Sequence, residues 1–259
     1  MRKARTIEEY QKALELLYKY KYSIRKVARE LNIPRTTIQR WLKGSKPLLS
    51  WTPNPTPELA YVIGVLMGDG HLHLRKKNHY SIELEVKDLA FACEFSRTLA
   101  KVLNKPFRKP YWRKDRHRWT VYYYSKAFYI WFKEQTLKTL KKYIEHDKET
   151  VGAFLRGIYD SEGSNWRCKR ISVYNTSLML LRYIQYLLKR YFNIIARGPY
   201  VTTRAGQKRI WKNTVFTTRK NCYTIVIRRG FFVYKFLKEI GFSIPRKQLG
   251  LKKIRDLLG

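Results

Sequence analysis

The chain has 259 residues, of which 55 are Lys or Arg and 19 are Asp or Glu, giving a formal charge of +36, and 44% are hydrophobic. That apolar content is ample for a packed core, which excludes a polar disordered chain, and the length suits about two domains. So large a positive excess costs self-repulsion unless a polyanion offsets it, and its spread along the whole chain points to nucleic acid more than to a membrane anchor.

Residues 1–45 read as a small helical domain. A first helix is predicted from about Thr6 to Tyr20, with Glu8 and Glu9 in its first turn. Ser23 can cap a second helix with Ile24, Val27, Ala28 and Leu31 on one face. Asn32-Ile33 makes a turn, Pro34 opens a third helix, and Gly44 stops it. The spacing is that of a helix-turn-helix, with small Ala28 at the helix crossing and Ile38 as the anchor of the third helix. Arg35, Thr36, Thr37, Gln39 and Arg40 would then face the major groove. A three-helix protein-docking module is the alternative. Residues 46–57 hold Pro47, Pro53, Pro55 and Pro57 and read as a stiff extended connector.

From residue 58 the sequence repeats itself, in halves expected at 58–147 and 148–259. In the first half Ser81–Lys87 alternates apolar and polar residues as a strand does. Asp88–Asn104 reads as a helix, Arg118–Ser125 as a strand and Ala127–Tyr143 as one helix. In the second half the matching elements are strand Arg170–Asn175, helix Leu178–Phe192, strands Val215–Thr218 and Tyr223–Arg228, and helix Phe231–Ile240. A last helix begins near Gln248. The strands set an apolar face against a polar, basic or aromatic one, as in Arg118, Thr120, Tyr122 and Tyr124, or Thr224, Val226 and Arg228. Basic loops join them: Arg75-Lys76-Lys77, Arg113 to Arg116, Arg204 to Lys212, and Arg219-Lys220. A twisted antiparallel ribbon fits the major groove. The expected DNA contacts here are Arg75, Lys76, Lys77, Arg118, Arg170, Lys208, Lys212 and Arg228.

Each half opens on nearly the same phrase. Val62-Ile63-Gly64-Val65-Leu66-Met67-Gly68-Asp69-Gly70 is answered 93 residues later by Leu155-Arg156-Gly157-Ile158-Tyr159-Asp160-Ser161-Glu162-Gly163. Small residues four apart (Gly64 and Gly68; Gly157 and Ser161) lie on one helix face and let two backbones approach closely. Asp69 and Glu162 are expected at helix C-termini, before glycines suited to a left-handed cap. A negative charge there opposes the helix dipole, and two together raise a pKa. A divalent cation relieves both, since carboxylate and carbonyl oxygens are hard ligands suited to Mg²⁺. Two buried helices with solvated acidic caps are the bland alternative.

These paired motifs resemble those of the LAGLIDADG homing endonucleases in their single-chain form; the second copy is the nearer match, and the likeness runs over about residues 57–259 in element order. The resemblance implies an α+β fold, a duplicated α-β-β-α-β-β-α with a pseudo-twofold axis between the motif helices and two four-stranded sheets as a saddle over DNA. The chain would be a monomer acting as a pseudo-dimer on a long asymmetric site. It also implies that Asp69 and Glu162 bind Mg²⁺ or another divalent ion such as Mn²⁺, with the backbone carbonyls of Gly68 and Ser161 completing part of the shell. The ions would activate water for cleavage of both strands with short 3′ overhangs. The family carries an acid two residues before the catalytic one; Asp160 keeps it and Met67 departs from it. It also places a lysine near the metals, for which Lys148 and Lys247 are the candidates.

Three functions stay open on sequence alone: a site-specific DNA endonuclease, a non-catalytic DNA-binding regulator of the same fold, and a maturase binding intron RNA. The three cysteines, Cys93, Cys168 and Cys222, form no CxxC pair, so neither a zinc module nor a disulfide framework is expected. No apolar run reaches the ~18 residues of a membrane span, and Met1-Arg2-Lys3-Ala4-Arg5 leads into no secretory core. A cytoplasmic protein of prokaryotic or archaeal source is expected.

Overall fold

The computed structural model describes residues 5–45, 47, 51–75, 79–211 and 214–248. Three helices come first: α1 (Ile7–Tyr18), α2 (Ile24–Glu30) and α3 (Arg35–Leu42). The next run is α4 (Pro57–Leu66), β1 (His71–Arg75), β2 (His79–Val86), α5 (Leu89–Val102), β3 (Tyr111–Arg113), β4 (Arg118–Tyr124), α6 (Lys126–Lys133) and α7 (Leu137–Ile144). It repeats as α8 (Lys148–Glu162), β5 (Gly163–Trp166), β6 (Arg170–Asn175), α9 (Leu178–Phe192), β7 (Arg197–Thr203), β8 (Lys208–Trp211), β9 (Thr214–Thr217), β10 (Cys222–Ile227), α10 (Gly230–Glu239) and α11 (Pro245–Gln248). The sheets run β1-β2-β4-β3 and β5-β6-β10-β7, the same order twice. This is the duplicated α-β-β-α-β-β-α plan, with β8-β9 inserted as a separate two-stranded ribbon.

The described residues gather into two compact units. One takes in those of 1–53 with 74–81 and 124–134; the other takes in 54–73, 82–123 and those of 135–259. In the first unit, Thr6 and Glu9 cap α1 reciprocally, the Thr6 hydroxyl accepting from Glu9 N at 3.2 Å and the Glu9 carboxylate from Thr6 N at 3.0 Å. Ala13, Leu16, Val27, Ile33, Ile38 and Trp41 form its buried core. Trp51 of the proline-rich stretch packs on α6, its ring 5.0 Å from Phe128 and 5.3 Å from Trp131.

In the second unit, α4 and α8 lie against each other. A Cβ added at Gly64 would overlap the Phe154 carbonyl oxygen and sit 3.0 Å from Ile158 N. One added at Gly157 would overlap the Tyr61 carbonyl oxygen and sit 3.0 Å from Val65 N. The two glycines face each other across the contact and permit backbone-on-backbone packing. Around them Leu59, Ile63, Val65, Val151, Phe154, Leu155 and Ile158 are buried. In the second half the apolar strand faces, Ile171, Val173, Ile225 and Ile227, are fully buried, with β6 and β10 paired antiparallel, Val173 opposite Ile225.

Several expectations are corrected. The single helix over Ala127–Tyr143 is two, α6 and α7, because the Thr136 hydroxyl caps Thr139 N at 3.3 Å while Thr136 N donates to the Thr139 hydroxyl at 2.9 Å. Neither motif glycine is left-handed. Gly163 is extended at φ −86°, and a Cβ there would overlap the Tyr159 carbonyl oxygen; steric room, not helix capping, requires glycine. α4 ends at Leu66, so Asp69 stands in the turn beyond it, whereas Glu162 does end its helix. Five strands escaped the sequence reading: β1, β3, β5, β7 and β8. Lys76, Lys77, Lys212 and the helix expected after Gln248 lie outside the described residues.

Alanine at Gly64 or Gly157 is expected to cost about 1–3 kcal/mol through overpacking of the α4–α8 contact, lowering Tm by roughly 2–10 °C. Thermal unfolding followed by circular dichroism checks this; an unchanged Tm would contradict the close packing.

Candidate metal centre and nucleic-acid face

Because α4 and α8 touch along their glycine faces, their ends arrive side by side. A Cβ on Gly68 would stand 2.9 Å from Ser161 Oγ and 3.2 Å from Glu162 Cγ, so the turn bearing Asp69 runs along the last turn of α8. Asp69 is exposed and Glu162 is half-buried. Burial raises the pKa of Asp69, against the pull of Lys247 and Arg118. Burial and then the Asp69 charge raise that of Glu162, against Lys247. Two hard carboxylates that each resist ionisation make a donor set that a divalent cation would stabilise. No group of three His, Cys, Asp or Glu side chains stands ready for a metal among the described residues. Mg²⁺ does not need one, since it keeps waters and takes phosphate oxygens alongside one or two carboxylates. The residues present therefore fit such an ion. Of the proposed carbonyl ligands, Gly68 and Ser161 both lie at this contact, and the Ser161 hydroxyl donates to the Gly157 carbonyl at 3.0 Å.

The two candidate lysines part company. Lys247, on α11, is buried. Its Nζ donates to the carbonyls of Asp160 at 2.7 Å and Tyr159 at 3.2 Å. Burial pushes its pKa down to about 8, although Asp160 and Asp69 pull the other way. Lys148 stands in the first turn of α8, at the end opposite Glu162, and its Nζ is 2.6 Å from the Glu239 carboxylate. Fourteen residues of helix put roughly 20 Å between these ends. The expectation that Lys148 stands near the acids is not met.

Around Lys247 is a knot in which sequence reasoning marked Asp160 but missed Tyr61, Ser243 and Asn165. The buried Asp160 carboxylate accepts from Tyr61 OH at 2.9 Å, Ser243 Oγ at 2.6 Å and Ser243 N at 3.0 Å. Asn165 Nδ2 donates to the Lys247 carbonyl at 2.6 Å. Burial, outweighing the Ser243 and Tyr61 hydrogen bonds, pushes the Asp160 carboxyl up to about 6. Beyond Asp69, His71 lies 3.6 Å from buried Glu83, and the Glu83 carboxylate raises the His71 pKa against its burial.

The expected DNA-contacting residues sort by exposure. On α3, Arg35, Thr36, Gln39 and Arg40 are exposed and Thr37 is half-buried. Arg118, Lys208 and Arg228 are exposed; Arg170 is half-buried, its guanidinium 5.7 Å from the centre of the exposed Trp166 ring. Arg75 ends β1. The polar strand faces are less open than expected, since Thr120 and Thr224 are buried. The basic loop at 113–116 is braced from within: Glu85 pairs with Arg113 and Arg116, each at 3.0 Å. No described helix is long and apolar enough to cross a membrane.

Residues 149–241 match the model of a LAGLIDADG-like domain, and residues 4–46 match a homeodomain-like domain. An uncharacterised protein of Methanocaldococcus jannaschii, MJ0398, is 31% identical over 242 residues, spanning 89% of this chain and 84% of that protein. Among solved structures, I-DmoI in complex with DNA and Ca superposes with a TM-score of 0.54 at 19% identity, over 78% of this chain and 100% of that one. Full-length DUF199/WhiA from Thermatoga maritima superposes with a TM-score of 0.50 at 18% identity, over 82% of this chain and 64% of that one. At these identities the two structural likenesses speak for the fold.

A carboxyl with a raised folded pKa binds its proton more tightly folded than unfolded, so its stabilising effect is full below the unfolded value and is lost as pH rises through the folded one. For Asp160 that loss falls around pH 6. Between pH 7 and pH 5, the Tm of the wild type is therefore expected to rise relative to that of Asp160→Asn. A Tm difference independent of pH would contradict the burial of a titrating carboxyl there.

Proposed function

The chain belongs to the LAGLIDADG-like family and carries a homeodomain-like helix-turn-helix module, and from that premise we propose that it is a site-specific double-stranded DNA endonuclease dependent on a divalent cation. The observation that carries this reading is the meeting of Asp69 and Glu162 at the ends of two abutting motif segments, close enough that one raises the pKa of the other. Asp69 and Glu162 would hold the cation, with the carbonyls of Gly68 and Ser161 as further donors. A bound Mg²⁺ or Mn²⁺ would lower the pKa of a water, so that the water could lose a proton to solvent and attack phosphorus as hydroxide, and would supply positive charge for the leaving oxygen. The chain's own residues do the rest. Lys247, held at the end of α8, adds a fixed positive charge toward the scissile phosphate. Arg118, exposed at the start of β4 and close enough to oppose the rise in the Asp69 pKa, adds another.

A charge of +36 supplies the affinity for phosphate. The exposed Arg35, Thr36, Gln39 and Arg40 of α3 would read base edges in a major groove, extending the footprint beyond that of the sheets. The β8-β9 ribbon, present in one half only, makes the halves unlike, which suits an asymmetric target bound by a monomer acting as a pseudo-dimer. A non-catalytic DNA-binding reading has one observation of its own in favour. Lys247 already offsets part of the charge of both acids without any metal.

Supercoiled plasmid incubated with Mg²⁺ or Mn²⁺ separates the two. The endonuclease reading expects nicked and linear products from the wild type and a loss on the order of a hundredfold or more in Glu162→Gln, with DNA affinity kept. Equal binding by both proteins, with cutting by neither, would favour the non-catalytic reading. Affinity for duplex should fall steeply between 50 and 200 mM salt, by about 10³-fold or more. Arg35→Ala and Arg40→Ala should each weaken binding by roughly 1–3 kcal/mol if they reach bases. Salt-insensitive binding would count against a phosphate-dominated interface.

A further inference from the structure

We propose that Asp160 is a positioning residue: with Ser243 and Tyr61 it clamps the 242–248 segment across the end of α8 and thereby fixes Lys247 beside the paired acids. What Lys247 does there rests on the endonuclease reading; the clamp itself does not.

The geometry is that of a three-way tie. Tyr61 comes from α4, Asp160 from α8 and Ser243 from the segment after α10, and all three meet at one carboxylate. Ser243 is bound twice, through its hydroxyl at 2.6 Å and its backbone N–H at 3.0 Å, so its backbone as well as its side chain is located. Four residues on, α11 carries Lys247, whose ammonium returns to the carbonyls of Tyr159 and Asp160. The short span is closed from both sides. Gln248 accepts from Phe242 N at 2.8 Å and donates to the Leu237 carbonyl at 2.9 Å, and Asn165 holds the Lys247 carbonyl. Phe242 fills the space between, with Tyr159 and Phe236 around its ring. A lysine side chain has four rotatable bonds and is costly to order. Tying down its backbone on both sides removes most of that freedom.

The fold does not require an acid at this place. The corresponding residue of the first motif is Met67, and the first half forms the same strand order without it. A buried carboxylate is a costly way to join helices when a neutral or apolar side chain would do. It is justified where a cation must be held nearby, as Lys247 is. The first half shows the converse: its motif has methionine, and the lysine expected to serve it, Lys148, is paired with Glu239. The centre thus has one clamped lysine, supplied by the second half.

The test compares wild type with Asp160→Asn, Ser243→Ala and Tyr61→Phe, the last two each removing a single hydroxyl. Amine-reactive labelling read by mass spectrometry reports Lys247 directly and needs no activity. In the wild type Lys247 should label slowly; in Asp160→Asn and Ser243→Ala it should label about tenfold faster or more, while exposed Lys148 and Lys208 are unchanged. Single-turnover cleavage should fall about 10- to 100-fold in these variants, with the DNA Kd unchanged. Protection of Lys247 as complete as in the wild type, in variants that keep the fold, would overturn the clamp. If Asp160→Asn unfolds, Ser243→Ala decides alone. If the wild type itself does not cut, the endonuclease reading fails, and the labelling result still decides whether Asp160 positions Lys247.

Discussion

Everything at the candidate centre follows from one steric constraint, the absence of a side chain at Gly64 and Gly157. Because nothing stands between them, the backbones of α4 and α8 touch. Helices separated by ordinary side chains sit 8–10 Å apart at their axes; here the separation is set by glycine against carbonyl oxygen. Two consequences follow at once. The chain segments after the contact, one with Asp69 and one ending in Glu162, cannot diverge. Their carboxylates also come close enough that the Asp69 charge raises the Glu162 pKa. Packing energy in the helix pair is thereby converted into an electrostatic demand at its end.

That demand is answered in part by the protein itself. Lys247 and Arg118 both lower the Asp69 pKa, and Lys247 also lowers that of Glu162. Lys247 is in turn held by two carbonyls at the end of α8 and by a clamp built on Asp160. The site is therefore a balance of like and unlike charges in which a further divalent ion and a phosphate would complete the neutralisation.

Much of the fold was legible because it is written in local patterns. The limits of β6 and α9 were read to the residue, as the second-half counterparts of a strand and a helix in the first. The helix-turn-helix followed from Ser23, Pro34 and the spacing of Ala28 and Ile38. What was missed has physical reasons. β3 has three residues and β5 four, too few to establish a period. The break between α6 and α7 depends on a Thr136–Thr139 exchange that competes with an otherwise helical run. The acids could be named from the repeat, since both lie within nine-residue phrases. Tyr61 and Asp160 are 99 residues apart, and Asp160 and Ser243 are 83 apart. No periodicity links them; only the folded contact does. Lys148 misled because a lysine beyond the third helix is placed by counting, whereas its neighbour Glu239 is placed by the fold.

The central claim is that Asp69 and Glu162 form one cation site. Anomalous diffraction from crystals grown with Mn²⁺ and a duplex tests it most directly. The account predicts a manganese peak within about 2.5 Å of a carboxylate oxygen of each acid, with a phosphate oxygen completing the shell. A duplex-bound structure with no peak there, and with the Lys247 ammonium in direct contact with both carboxylates instead, would contradict it.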